Sequence, residues 1–198
     1  PHHGAAKPDR VTRIIDGGTI EERPYLIMDH VDGRPVTDAL AARHAGLDER
    51  LDCFLAICAA ISHAHRALIV HADIKPSNVM VERGGGIRLL DFGIAQLVQG
   101  LEAEQPGGLH PLTPGYAAPE RAAGQPPTIA GDVYSLGALF HEMLAGRLPD
   151  RHGRAMSATA AAAGAAPVPA RLLKGDLDAI AARALAADPA ARYADVGA

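Results

Sequence analysis

Residues 71–81 read HADIKPSNVMV, a polar stretch set between apolar ones. It places a carboxylate at Asp73, a cation at Lys75 and a carboxamide at Asn78 within six residues, and a second carboxylate, Asp91 in LLDFG, follows thirteen residues after Asn78. That set suits transfer of a nucleotide's terminal phosphoryl group to a hydroxyl. The poor nucleophile needs a carboxylate to orient it and accept its proton, the moving phosphoryl group needs a cation, and Mg²⁺ needs hard oxygen ligands. Lysine occurs only at positions 7, 75 and 174, so the placement of Lys75 is informative. Taken singly, Asp73 reads as a solvated loop acid, and it is the register of the four side chains that gives it a role.

These residues need elements to hold them. VTRIIDGGTIEERPYLIMDHVDG reads as a hairpin with strands over Val11 to Ile15 and Tyr25 to Val31, a turn at Asp16-Gly17-Gly18, and Gly33 and Pro35 closing it. LDERLDCFLAICAAISHAH predicts a helix with Leu51, Phe54, Leu55, Cys58 and Ile61 on one face. Short apolar runs at 68–70, 79–81 and 87–90 predict short strands and loops, with a hairpin turning at RGGG that returns Asp91 beside Asn78. Residues 98–118 read as one long loop, a feature usually tied to function or disorder. GDVYSLGALFHEMLAG predicts a helix carrying Val133, Leu136, Phe140, Met143 and Leu144, stopped at Gly146. The alanine-rich 153–170 reads as a weak helix plus linker, and DLDAIAARALAAD as a last amphipathic helix.

The 198 residues suit one domain, and 48% hydrophobic content suffices for a core. A net charge of −4 gives no electrostatic footprint for nucleic acid or an anionic membrane. Cys53 and Cys58 on one helix are separated by a rise of roughly 7.5 Å, beyond disulfide reach, and read as reduced thiols of a cytosolic protein. No signal peptide or bilayer-spanning run is visible. His63, His65 and His71 lack companion ligands at metal-binding spacing and read as core or helix-surface residues.

Five stretches together resemble the protein kinases, in particular the bacterial type of serine/threonine kinase. HADIKPSNVMV is similar to the catalytic loop, DFG (91–93) to the metal-binding triplet, and TPGYAAPE (113–120) to the end of the activation segment. DVYSLG (132–137) resembles the start of the central buried helix, and YLIMDHVDG (25–33) the hinge that grips adenine. The resemblance covers most of residues 11–198 and implies an α+β fold. Residues 1–31 would be a small-lobe remnant of two strands and hinge, and 32–198 a mainly helical large lobe whose last helix is cut short. It implies ATP and Mg²⁺ as cofactors and a protein Ser or Thr as acceptor, in the cytoplasm or on the cytoplasmic face of a membrane whose anchor would lie outside this chain. Asp73 would be the catalytic base, Lys75 the phosphate-neutralising cation, and Asn78 and Asp91 the Mg²⁺ ligands. Met28 would sit behind adenine, the backbone of Asp29 and Val31 would bond its edge, and Met80 would floor the ring. Asp132 would brace the catalytic loop, Glu120 and Arg192 would pair, and His71 and Phe92 would stack in an internal spine below Ile14. Thr113 would hold Asp73 and Lys75 together.

The pattern departs in two places. Ala72 stands where most of the family carries an Arg that grips a phosphorylated activation-segment residue. Between Asp91 and Glu120 the hydroxyls are only Thr113 and Tyr116, so that Arg and its phosphate partner are missing together. Nor does the sequence hold a G-x-G-x-x-G loop or a lysine in an early strand pattern. The expectation is a fragment of an ordinary kinase, favoured by the absent initiator Met, or a naturally shortened relative, with little activity of its own. Two other functions compete. An aminoglycoside-type phosphotransferase would share Asp73 and Asn78 but not Lys75-Pro76, DFG or TPGYAAPE. A pseudokinase-like interaction module would suit Ala72 but not the intact Asp73, Lys75, Asn78 and Asp91.

Overall fold

The computed structural model describes residues 11–21, 23–91, 113–150 and 153–198. In chain order they form β1 (Ile14–Ile20), β2 (Arg23–Met28), β3 (Gly33–Pro35), α1 (Val36–Ala42), α2 (Leu47–Arg66), β4 (Val79–Glu82), β5 (Ile87–Leu89), α3 (Pro119–Ala122), α4 (Ile129–Ala145), α5 (Met156–Ala163), α6 (Ala170–Leu173) and α7 (Asp176–Ala184). The class is α+β. β1 and β2 pair antiparallel as one sheet, and β3, β4 and β5, in that order, form another. Among the described residues no helix is long and apolar enough to cross a membrane.

α4 is apolar nearly all round, which suits only an interior helix. It starts where the Thr128 hydroxyl accepts the Gly131 N–H at 3.0 Å and ends at Gly146, whose φ of 75° lets its N–H close on the Glu142 carbonyl. α2 lays Ile57 and Ile61 against this helix and β5, in a core with Leu40, Ile74, Val79, Leu89, Leu139 and Met143. On the other side Phe140 and Leu144 pack with Met156, Val168 and Leu173 from α5, α6 and the link between them. Each such side chain contributes about 1.5–3 kcal/mol when fully buried. α7 crosses α4 so closely that a Cβ on Gly137 would lie 2.8 Å from that of Ala184.

Several expectations change. The glycines at 17 and 18 lie inside β1, not at the turn, which the chain reaches only at Glu21. A Cβ on Gly17 or Gly18 would come within 2.8 Å of the Leu26 or Tyr25 side chain, so the missing side chain makes room for a cross-strand neighbour. Gly33 and Pro35 do not merely close the hairpin but form β3, paired with Glu82 and Met80. The buried face of α2 carries Arg50, Ile57, Ile61 and His65, whereas Leu55 is 64% exposed, because α4 and β5 cover a flank that shares Ile61 with the face apolar spacing suggested but is turned away from Leu55. α5 is firmly seated, with Met156, Thr159 and Ala160 buried, although alanine carries little packing signal. The hairpin at RGGG, α4 with its stop at Gly146, and α7 form where expected. Most of the 98–118 loop lies outside the described residues. Cys53 and Cys58 are free and half-buried, and burial pushes their thiols up to about 11 and about 12.

Candidate active site

α2 ends at Arg66, and the chain turns through residues 67–70 into the 71–78 loop. This loop is held from below by Asp132, in the first turn of α4 and 1% exposed. Its Oδ2 accepts the His71 N–H at 2.8 Å, and its Oδ1 accepts the Ala72 N–H at 2.9 Å. Ala72 lies at φ 68°, a left-handed conformation that costs a residue with a Cβ roughly 1–2 kcal/mol. Two charge-assisted bonds offset that cost at the residue immediately before Asp73.

Asp73 meets three partners. Its Oδ2 accepts from Lys75 Nζ at 2.7 Å and from Asn78 Nδ2 at 2.9 Å, and its Oδ1 accepts from the Thr113 hydroxyl at 3.1 Å. Lys75 Nζ also donates to Thr113 Oγ1 at 2.9 Å, so the three side chains close a ring across some forty residues of sequence. Asn78 further donates Nδ2 to the Asp73 carbonyl at 2.8 Å. With both amide hydrogens spent, the Asn78 Oδ1 is left as an acceptor. A 3₁₀ turn over Pro76–Asn78 leads into β4, Val79 pairs with Leu89, and the Leu90 N–H bonds the Asn78 carbonyl at 2.9 Å. Asp91, at φ 57°, therefore follows directly on Asn78's neighbour in space.

Among the described residues no group of three or more His, Cys, Asp or Glu is arranged to hold a metal ion. The donor set of Asn78 and Asp91 instead suits Mg²⁺, which keeps several waters and takes one or two protein oxygens beside phosphate.

The other expected residues fall into three groups. Met28 ends β2 opposite Ile14, the exposed Asp29 donates its N–H to the Arg13 carbonyl at 3.1 Å, and Val31 is half-buried beyond it. Met80 lies on the half-buried face of β4 between Pro35 and Arg88. His71 is 1% exposed, and burial holds its imidazole below the usual value against the pull of Asp132; Phe92 lies outside the described residues, and Ile14 is 38% exposed. Glu120 and Arg192 make a two-pronged ion pair, and the hydrogen bond from Arg192 holds the Glu120 carboxyl below its ordinary range.

Two contacts were missed. His65 Nε2 lies 2.8 Å from Asp132 Oδ2; the visible signal was that Ile57, Ile61 and His65 follow one another at four-residue spacing. Tyr116 donates its hydroxyl to Glu142 Oε2, tying the 113–118 turn to α4, and burial followed by that bond pushes the phenol upward. No local pattern announces a contact between residues 116 and 142.

A mainly helical body carries a short loop with carboxylate, lysine and carboxamide in one hydrogen-bonded group, and a second carboxylate on the adjoining hairpin, the chemical groups that phosphoryl transfer to a hydroxyl calls for. The profile of the protein kinase domain matches residues 4–185, and the chain belongs to that family. It is 32% identical to the serine/threonine-protein kinase Pkn1 of Myxococcus xanthus, over 96% of this chain and 28% of Pkn1. It is 31% identical to the serine/threonine-protein kinase PknB of Mycobacterium tuberculosis, over 92% of this chain and 31% of PknB. The chain thus spans about a third or less of these relatives' length. The solved structure described as "PpkA-294 apo form" superposes with a TM-score of 0.64 at 21% identity, covering 98% of this chain and 67% of that one, a likeness of fold.

Proposed function

We propose that this chain is the hinge and large lobe of a bacterial serine/threonine protein kinase that transfers the γ-phosphoryl group of ATP to a Ser or Thr hydroxyl of a protein. The observation that carries this reading is the closed group of Asp73, Lys75, Asn78 and Thr113. Family membership and the bacterial kinases among its relatives support it.

Hydrogen-bond capacity supports this division of roles. Asp73 Oδ2 already accepts two bonds, whereas Oδ1 accepts one, so Oδ1 keeps the lone pair that orients the acceptor hydroxyl and takes its proton. Lys75 spends two of three N–H groups on Asp73 and Thr113, which leaves the third for a phosphate oxygen. Asn78 Oδ1 and the Asp91 carboxylate hold Mg²⁺, which supplies charge neutralisation on the phosphates. Met28, Met80, and the backbone at Asp29 and Val31 receive the adenine. Asp29 offers its carbonyl, since its N–H is bonded to Arg13. Residues 1–31 serve as the part of the small lobe nearest the hinge, and 32–198 as the large lobe. Free Cys53 and Cys58 fit a reducing, cytoplasmic setting.

Residues 1–198 carry no glycine-rich loop, so by themselves they transfer phosphoryl groups slowly. The test is Mg²⁺-dependent phosphorylation of Ser and Thr peptides by the full natural polypeptide. Activity lost in Asp73→Asn supports the assignment, whereas activity indifferent to that change overturns it.

A further inference from the structure

Between α4, α5 and α7 the fold leaves a cavity of about 470 Å³, a volume in the range of small-molecule sites. Pro119, Met156 and Leu185 give it apolar walls, and His141, Asp150 and Asp178 give it polar ones. None of these polar residues takes part in the group around Asp73.

His141 lines the cavity from α4 and is 1% exposed. Its Nδ1 lies 2.7 Å from the Arg147 carbonyl oxygen, which can only accept, so Nδ1 carries the proton. Burial holds the imidazole below its usual value, against that carbonyl and the charges of Asp150 and Asp178. The ring is therefore neutral at neutral pH, and Nε2 is an acceptor. Nε2 has no hydrogen-bond partner, and an unmet buried acceptor is costly.

The two carboxylates differ. Asp150 meets the backbone N–H of Arg154 at 3.0 Å and its guanidinium at 3.3 Å. Among the described residues Asp178 is met by Ser157 alone, through the N–H at 2.8 Å and the hydroxyl at 2.6 Å, both neutral donors. One bond to each oxygen leaves each with a further lone pair. With Arg154 set against Asp150, the cavity keeps one negative charge and two acceptors short of donors, Asp178 and His141 Nε2. Among the described residues these groups are not arranged to hold a metal ion. A planar organic cation fits better: a guanidinium presents several N–H donors in fixed directions and sheds its water more readily than an ammonium. Met156 and Leu185 can cover a short apolar stem.

We propose that this cavity is a binding site for a guanidinium group, held by the Asp178 carboxylate with His141 Nε2 as second acceptor. The group belongs either to a free small compound or to an arginine side chain of a bound polypeptide, and two probes separate these sources.

Methyl NMR of the full natural polypeptide, labelled at methionine Cε, tests the site. Met156 opens α5 on the cavity wall, whereas Met28 and Met80 lie in β2 and β4 and Met143 in the core. Met156→Leu assigns the signal. Butylguanidinium should shift Met156 saturably and bind at least tenfold more tightly than butylurea, its uncharged counterpart, while the other three methyls stay still. Asp178→Asn keeps an acceptor for the Ser157 N–H but removes the charge, and should weaken butylguanidinium about tenfold. Ala182→Leu, at an exposed position on the cavity wall, should fill the space and abolish the shift; Ala179→Leu, exposed on the same helix outside the cavity, should leave it intact. Tighter binding of the peptide acetyl-Gly-Arg-Gly-amide than of butylguanidinium assigns the group to a polypeptide, and the reverse to a free compound.

A Met156 signal that stays still, that moves equally with butylurea, or that moves together with Met28 and Met80 overturns the proposal. So does binding that survives Ala182→Leu or is indifferent to Asp178→Asn. If Asp178→Asn does not fold, the pair Ala182→Leu and Ala179→Leu decides. None of these readouts depends on phosphoryl transfer, so the site stands or falls apart from the kinase reading.

Discussion

Arg192 and Glu120, 72 residues apart, meet through two parallel hydrogen bonds, Nη1 to Oε1 at 2.7 Å and Nη2 to Oε2 at 2.8 Å. The Arg192 side chain is wholly buried and that of Glu120 is 8% exposed. The guanidinium also donates to the carbonyls of Ala130, Ala186 and Ala187, so one side chain joins α3, α4 and the segment after α7. Arg192→Ala leaves the Glu120 carboxylate without its partner, takes a donor from three carbonyls, and is expected to lose about 3–5 kcal/mol in urea unfolding. Glu120→Gln keeps the shape and one acceptor and is expected to lose about 1–3 kcal/mol. Equal losses would show that the ion pair is not what joins these elements.

Asp73→Asn keeps the hydrogen-bonding geometry with Thr113 and removes the proton acceptor. In the full natural polypeptide kcat is expected to fall by about 10²–10⁴, with nucleotide affinity and the urea midpoint retained. Isothermal titration with ATP and Mg²⁺ separates loss of chemistry from loss of binding.

Thr113 carries one hydroxyl that both donates to Asp73 and accepts from Lys75. Thr113→Val removes it at constant volume and is expected to lower kcat about tenfold or more, because two charged groups lose a partner. Thr113→Ser keeps the hydroxyl and most of the rate. The ratio of kcat for Ser to Val reads the hydroxyl alone.

Acid sensitivity follows from groups held below their ordinary values. Burial lowers His71 and His141, and the Arg192 hydrogen bond lowers Glu120. For each, the unfolded chain binds a proton at higher pH than the folded one does. The associated stability is complete above the unfolded value and is lost as pH falls toward the folded one. The histidines act first, below about pH 6.5, and Glu120 follows below about pH 4.3. Unfolding free energy measured from pH 8 to 4 should fall in that order. His141→Asn, which keeps a donor for the Arg147 carbonyl but cannot titrate, should flatten the upper part of the curve.

Activation-segment phosphorylation is expected not to control this protein. Ala72 offers no cation, the Thr113 hydroxyl is held by Asp73 and Lys75, and the Tyr116 hydroxyl by Glu142. No other hydroxyl lies between Asp91 and Glu120. Mass spectrometry of the active protein should find this segment unmodified; a stoichiometric phosphate there on which activity depends would reverse the conclusion.

The letters of the chain by themselves determined the chemical groups. Asp73, Lys75 and Asn78 lie within six residues and Asp91 one hairpin later, so local geometry alone keeps them near each other. α4 was legible because its apolar period and Gly146 stop are both local. Only the tertiary structure decided which side of α2 is buried, leaving Leu55 in solvent and His65 against Asp132. It also placed Gly17 and Gly18 inside a strand, where side chains from β2 need the space. The reason is physical: a helix or strand announces its period within a few residues, but its partner face is chosen by elements far along the chain. A hydrogen bond such as that between His65 and Asp132 exists only after two helices have packed.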